Sequence, residues 1–182
     1  MPVTQSPHQE EHAPLPTSPD ALMQTFDQIG VSYDLYHHEA VFTVAESDKV
    51  DAKIPGTHCR NMFLRDKKKR MFLVSLANET LVDLKKLEKV LGCARLSFGS
   101  PERLWENLGV RPGSVCPYAI INDAEKNVTL ILDAWMMAQE RVNFHPLINT
   151  MTVNTPPQGI QTFATHLNHP FQIMDLSGAK PD

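Results

Sequence analysis

Gly113-Ser114-Val115-Cys116-Pro117 is a glycine-led loop that runs directly into the apolar stretch Tyr118-Ala119-Ile120-Ile121-Asn122. Glycine has no Cβ, so such a loop can approach a ligand closely and aim several backbone N–H groups at one point. Donors of that kind hold an ester carbonyl or the oxyanion it becomes on attack. Taken alone, a Gly-x-x-x-Pro segment is equally an ordinary turn. Other polar residues interrupt apolar stretches: Asn61, Ser97, and His145 within Asn143-Phe144-His145-Pro146. Each also has a plain structural reading as a hydrogen-bonded side chain. Thr43-Val44-Ala45-Glu46 has the spacing of a helix capping box, which gives Thr43 a structural role of its own. For the thiols of Cys59 and Cys116 no His or Asp partner in a nucleophile–base arrangement is visible in the sequence, so neither reads as a nucleophile. The eight histidines and three cysteines follow no metal-ligand spacing, and neither a metal nor a cofactor is expected.

Turn and cap signals place these residues on elements. Ser18-Pro19 opens a helix with the stripe Leu22, Phe26 and Ile29, closed by Gly30. Tyr33 to His37 reads as a short strand, and a helix runs from Thr43 to about Lys53 before Pro55-Gly56 breaks the chain. Arg60 to Arg65 and Arg70 to Leu76 read as strands joined at Asp66-Lys67-Lys68-Lys69. Asp83 caps a helix with the stripe Leu84, Leu87 and Leu91, closed by Gly92. A strand over Arg95 to Phe98 and a helix from Ser100-Pro101 to Gly109 follow. Tyr118 to Asn122 reads as a strand returning at Val128 to Asp133. Val142 to His145 and Met151 to Asn154 are further strands, Pro157 begins a last helix, and Phe171 to Leu176 closes the chain as a strand. Interleaved helices and strands with frequent hairpins make this an α/β fold. A single domain with a mixed, largely antiparallel central sheet and flanking helices is expected.

The chain has 182 residues, enough for one domain with its own core, and 21% of them are charged. Residues 1–17 are polar, lack the cationic start and apolar block of a secretory signal, and read as a disordered leader; 178–182 read as a tail. No apolar run nears the roughly 20 residues of a membrane span, so no membrane partner is expected. Reduced thiols and a cytoplasmic location are the matching expectation. The net charge of −4 argues against general nucleic-acid binding, DNA included. Residues 49–95, however, carry twelve Lys/Arg against five Asp/Glu, a net of +7, leaving −11 on the rest. A basic face on an acidic protein suits local contact with a phosphate backbone. A solvated hairpin tip at Lys67-Lys68-Lys69-Arg70 is the plainer alternative.

Seven blocks resemble the YbaK-like prolyl-tRNA editing domains, in the family's order. They are Glu39 to Ser47, Arg60 to Lys68, Asp83 to Leu87, Arg95 to Gly99, Leu108 to Val115, Ile120 to Asp123, and Val142 to Leu147. They run from Glu39 to Leu147, the resemblance implies one editing domain over roughly 18–177, and their wording is similar to the free-standing branch that removes alanine from tRNA(Pro). The resemblance implies a trans-editing deacylase that hydrolyses the ester of mischarged tRNA(Pro), with prolyl-tRNA synthetase as a possible partner and no cofactor. A second sieve is chemically sensible, because one methylene separates substrates by only about 1–3 kcal/mol. The resemblance makes Arg60, Gly113 and Ser114 the catalytic candidates. It places Thr43, His58, Asn61, Ser97, Val115, Cys116, Pro117 and His145 around the substrate, His145 as a wall that sets amino-acid preference. Lys67, Lys68, Lys69, Arg70, Lys85 and Lys86 would meet the tRNA. The family's lysine before the Asn-x-Phe strand is Arg60 here. Two alternatives therefore stay open: a deacylase of shifted amino-acid specificity, or a weakly active module that binds tRNA or a synthetase.

Overall fold

The computed structural model describes residues 13–182. Its helices begin and end where local chemistry satisfies their free backbone groups. In α1 (Pro19–Ile29) the Ser18 hydroxyl accepts from Ala21 N at 3.1 Å, and Gly30 closes the helix at φ 75°. α2 (Val44–Asp51) carries the full Thr43/Glu46 capping box. α3 (Leu84–Leu91) is capped by Asp83, and α4 (Pro101–Leu108) by Ser100. A short α5 (Ala134–Met137), with no counterpart among the sequence expectations, follows Asp133, and α6 (Gln158–His166) begins after Pro157.

The strands are β1 (Asp34–His37), β2 (Thr57–Asp66), β3 (Met71–Ala77), β4 (Leu96–Phe98), β5 (Val128–Asp133), β6 (Val142–Phe144), β7 (Met151–Thr155) and β8 (Phe171–Met174). They form one mixed sheet in the order β1-β7-β6-β2-β3-β5-β8, with β4 also paired to β2. The β2–β3, β2–β4, β6–β7 and β1–β7 pairs are antiparallel; β2–β6, β3–β5 and β5–β8 are parallel. Alternation along the strands divides the core between the two faces. Phe63, Leu73, Leu130 and Leu132 pack with α1, α4 and α6, whereas Met62, Leu64, Phe72, Val74 and Ile131 pack with Leu87 of α3. Phe26, Tyr118 and Phe163 meet edge to face at 4.9–5.5 Å between centroids in the first of these layers.

One expectation is overturned. Tyr118 to Asn122 is not a strand but part of a 3-10 helix, Pro117–Asn122. A short apolar run does not distinguish a buried strand from a buried helical turn. Here Pro117 starts the turn, and Tyr118 is buried with its hydroxyl 2.9 Å from Thr155 Oγ1. The expected leader lies largely outside the described residues. Its last part touches the body: Leu15 packs against the core, and Thr17 Oγ1 donates to Asn122 Oδ1 at 2.6 Å. Near the other end, Ala179 is buried and its carbonyl accepts from Asp83 N.

The turn after the 3-10 helix is pinned by charge. Asp123 accepts from the backbone of Asn127 and Val128 and from His169 Nε2, each at 2.9 Å, and both side chains of the ion pair are buried. Burial pushes the Asp123 carboxyl up, but the bonds from His169, Val128 and Asn127 outweigh it and hold it below the usual carboxylate range. Removing the Asp123 carboxylate leaves His169 Nε2 and the N–H groups of Asn127 and Val128 without their acceptor. Asp123→Ala is therefore expected to lower unfolding free energy by about 3–5 kcal/mol, read from urea midpoints at pH 7.

Candidate active site

β2 is ten residues long, and β3 occupies one of its edges from Cys59 to Arg65. The other edge is shared. β6 pairs only with Thr57 and His58, and β4 only with Leu64, Arg65 and Asp66. The Gly113–Pro117 loop meets the interval between them, where Asn61 Nδ2 donates to Val115 O at 2.9 Å. Asn61 is held in turn by Ser75 Oγ, which donates to its Oδ1 at 2.7 Å. A cavity of about 500 Å³ opens there. His58, Arg60, Asn61, Gly113, Val115 and His145 line it among others. Six of the residues singled out in sequence thus share one wall system, although they come from β2, the loop and the end of β6.

Gly113 has φ +88°, and a Cβ there would meet nothing nearer than Asn149 Nδ2 at 4.0 Å. Backbone conformation, not space, is what requires glycine. The N–H of Ser114 donates to Arg111 O at 3.0 Å, so that donor is already used. Within the loop, Ser114, Cys116 and Pro117 are buried in the body of the fold and do not line the cavity. Desolvation pushes the Cys116 thiol to about 11 and the Cys59 thiol to about 12, which keeps both protonated at neutral pH. Thr43 caps α2, while Val44, Ser47, Asp48 and Asp51 of that helix reach the cavity. Ser97 is exposed on β4 and donates weakly to Arg65 O at 3.5 Å. Its strand partner lies five residues along β2 from Arg60, roughly 16 Å away.

Arg60 spends its guanidinium on backbone carbonyls. It donates to Ala77 O at 3.4 Å, Asn78 O at 2.9 Å and Thr80 O at 2.6 Å. It therefore clamps the turn after β3 and brings a permanent positive charge to the cavity edge. His58 Nε2 lies 3.0 Å from Ile54 O, and its Nδ1 lies 3.3 Å from Asp51 Oδ1. Burial raises the Asp51 carboxyl, against the opposing charges of His58 and His145. His145 Nδ1 lies 2.9 Å from Met151 O, which fixes the ring and, in the neutral form, leaves Nε2 as the acceptor. Desolvation lowers His145, opposed by the bond to Met151 and reinforced by the nearby ring of His38.

Several supporting residues escaped the sequence reading. Asn143 and Asn154 both donate to Pro55 O at 2.9 Å, and Asn154 also donates to Asn143 Oδ1 at 2.7 Å. They hold the Pro55-Gly56 turn from which β2 starts. Gly56 is obligatory there, because φ is +102° and a Cβ would lie 2.8 Å from Asn154 Nδ2. Asn143 sits in a block already noted for His145; a polar residue within a short apolar strand was its only signal. Asp51 gave none, since its partner His58 lies across a chain reversal.

The basic residues gather at the far end of β2, about 20 Å from Arg60. Lys67, Lys68 and Lys69 form the exposed hairpin tip, and Arg70 pairs with Asp66 at 2.8 Å. Lys67 N donates to Arg95 O, which joins the tip to a hollow between α3 and β4 lined by Lys85, Lys89 and Arg95. Lys86 turns away and bonds Asp182 at 2.5 Å. Among the described residues, no group of three His, Cys, Asp or Glu is placed to hold a metal, and no helix is long and apolar enough to cross a membrane.

The low proton affinity of His145 has a defined consequence for stability. The folded form favours neutral imidazole, so its contribution is present above the unfolded value near 6.5 and is lost as pH falls through the lowered folded value. Urea midpoints at pH 7.5 and pH 5 are expected to fall further for the wild type than for His145→Gln.

Residues 38–163 match the family model described as an aminoacyl-tRNA editing domain. The "Prolyl-tRNA editing protein ProX" of Acetoanaerobium sticklandii is 29% identical over 157 residues, 86% of this chain and 96% of that protein. The "Prolyl-tRNA synthetase associated domain-containing protein 1" of Bos taurus is 31% identical and covers 82% of this chain and 90% of its own length. A solved structure described as a candidate trans-editing enzyme for prolyl-tRNA synthetase superposes with TM-score 0.66. It covers 88% of this chain and 97% of its own, at 16% identity, and shares the fold.

Proposed function

The chain belongs to the aminoacyl-tRNA editing domain family and is an aminoacyl-tRNA deacylase, and from that premise we propose that it clears alanine from mischarged tRNA(Pro). Its relatives are named for prolyl-tRNA editing and for association with prolyl-tRNA synthetase, which supports prolyl-tRNA as the class of substrate. The observation that carries the reading is one cavity joining Asn61, His58, Arg60 and His145 to the Gly113 loop. In the reaction, water adds to the ester carbonyl and the resulting oxyanion collapses. The bond to the terminal ribose oxygen breaks, and free amino acid and the tRNA hydroxyl are released. Gly113 and Val115 border the space in which that carbonyl would lie, and neutral His145 forms a wall whose size and acceptor nitrogen favour a small amino acid. Arg60 takes the place of the family lysine. It holds the 77–80 turn and supplies positive charge to the developing oxyanion.

Single-turnover deacylation tests this directly. Alanine-charged tRNA(Pro) is expected to lose its amino acid rapidly while proline-charged tRNA(Pro) is retained. A lysine ammonium cannot match the three carbonyl bonds of the guanidinium, so Arg60→Lys is expected to slow the step about tenfold, roughly 1.4 kcal/mol in the barrier. A faster Arg60→Lys protein would mean that arginine weakens the site. No hydrolysis of alanine-, serine- or cysteine-charged tRNA by protein that still binds tRNA would favour the binding-module reading.

The tRNA body is assigned to the hairpin tip and the Lys85/Lys89/Arg95 hollow, whose distance from the cavity leaves room for a single-stranded 3′ end between the two. Replacing Lys67, Lys68 and Lys69 by glutamate is expected to weaken tRNA binding at least tenfold in low salt and to flatten its salt dependence. An unchanged affinity in filter binding would place the tRNA elsewhere.

A further inference from the structure

Phe42 and Val44 are the most exposed large apolar residues of the described chain, at 82% and 78%. Thr43 between them is extended, at φ −121° and ψ 158°. Side chains two apart on extended backbone point the same way. Val44 lines the cavity, and Phe42 lies on the same side of the backbone within about 7 Å of it along the chain. The segment is fixed on both sides. Asn149 Nδ2 donates to Val41 O at 3.1 Å, and the N–H groups of Phe42 and Thr43 donate to Glu46 Oε2 at 2.8 and 3.1 Å. Burial of these N–H bonds is not what orders the strap, because Glu46 is exposed; the bonds themselves hold the Glu46 carboxyl below its usual range. The backbone that carries this ring is held in place while the ring itself stands in water.

We propose that Phe42 is the stacking platform for the base of the tRNA 3′-terminal nucleotide. The inference rests on the deacylase reading. The scissile ester is borne by the ribose of that nucleotide, so with the ester in the cavity the base is tethered one sugar away, near the segment that carries Phe42. Every base has an apolar face, and aromatic side chains bind such faces irrespective of sequence. The other strongly exposed aromatic rings, Phe98 and Trp135, lie on β4 and α5, neither of which lines the cavity.

The test uses the full chain and an uncharged RNA hairpin with a single-stranded ACCA end, beside the same hairpin with an abasic terminal residue. By fluorescence anisotropy the wild type is expected to bind the base-bearing RNA from fivefold to a hundredfold more tightly. Phe42→Ala is expected to close that gap, and Phe42→Trp to restore it. On alanine-charged RNA, Phe42→Ala is expected to lose more in kcat/KM than in kcat. A gap that persists in Phe42→Ala, or equal losses on both RNAs, overturns the proposal. So does a dimer that Phe42→Ala dissociates in sedimentation while the gap stands, which would assign the ring to self-association. Because binding is read on uncharged RNA, failure of hydrolysis would overturn the deacylase reading without deciding the fate of the Phe42 gap.

Discussion

β2 has only two edges and serves three strands. β3 takes one edge along seven residues, and β6 and β4 divide the other. A strand edge in a folded core must find partners for its backbone or be covered. Beside the interval that β6 and β4 leave, the Asn61 side chain reaches from the face of β2 to the Gly113–Pro117 loop and donates to Val115 O. The cavity adjoins this interval. It opens at the place where regular pairing stops, so β2 contributes side chains to it from consecutive positions, His58 to Asn61. The same strand carries the basic hairpin tip at its other end. One element thereby sets both the position of the cavity and its spacing to the basic tip.

The electrostatics of the cavity follow from how each charge is held. Arg60 is held directly by carbonyl dipoles, with the Asp133 carboxylate near enough to favour its charged form against burial. Asp51 is raised by burial although His58 and His145 oppose the shift, and His145 is lowered by burial. Both shifts favour the uncharged form of the group. Desolvation keeps the thiols of Cys59 and Cys116 protonated at neutral pH.

Much of the fold was legible in the sequence because its signals are local. Ser18-Pro19, Thr43/Glu46, Asp83 and Ser100 cap the helices they announced, and Gly30, Gly92 and Gly109 end them in the left-handed conformation. The β2–β3 hairpin was readable from its alternation, though both strands differ from the expected limits by a residue or more. Pro117–Asn122 was not, since an apolar run of that length fits a strand as well as a buried turn; packing of Tyr118 against Phe26 and Phe163 decided it.

The site divides along the same line. The sequence by itself determined the α/β class, the capped helices, the basic segment, and a set of polar residues that includes His58, Arg60, Asn61, Gly113 and His145. These depend on residue type and short spacing, which the chain states directly. Tertiary structure alone decided that those five share a cavity while Ser97 lies at the far end of β2, and that Cys116 and Pro117 are core. It also decided that Asp51, Asn143 and Asn154 support the wall and that Arg60 is held by the 77–80 turn. Those outcomes depend on which strand lies beside which, and a parallel pairing such as β2 with β6 joins residues 85 positions apart that no local pattern links.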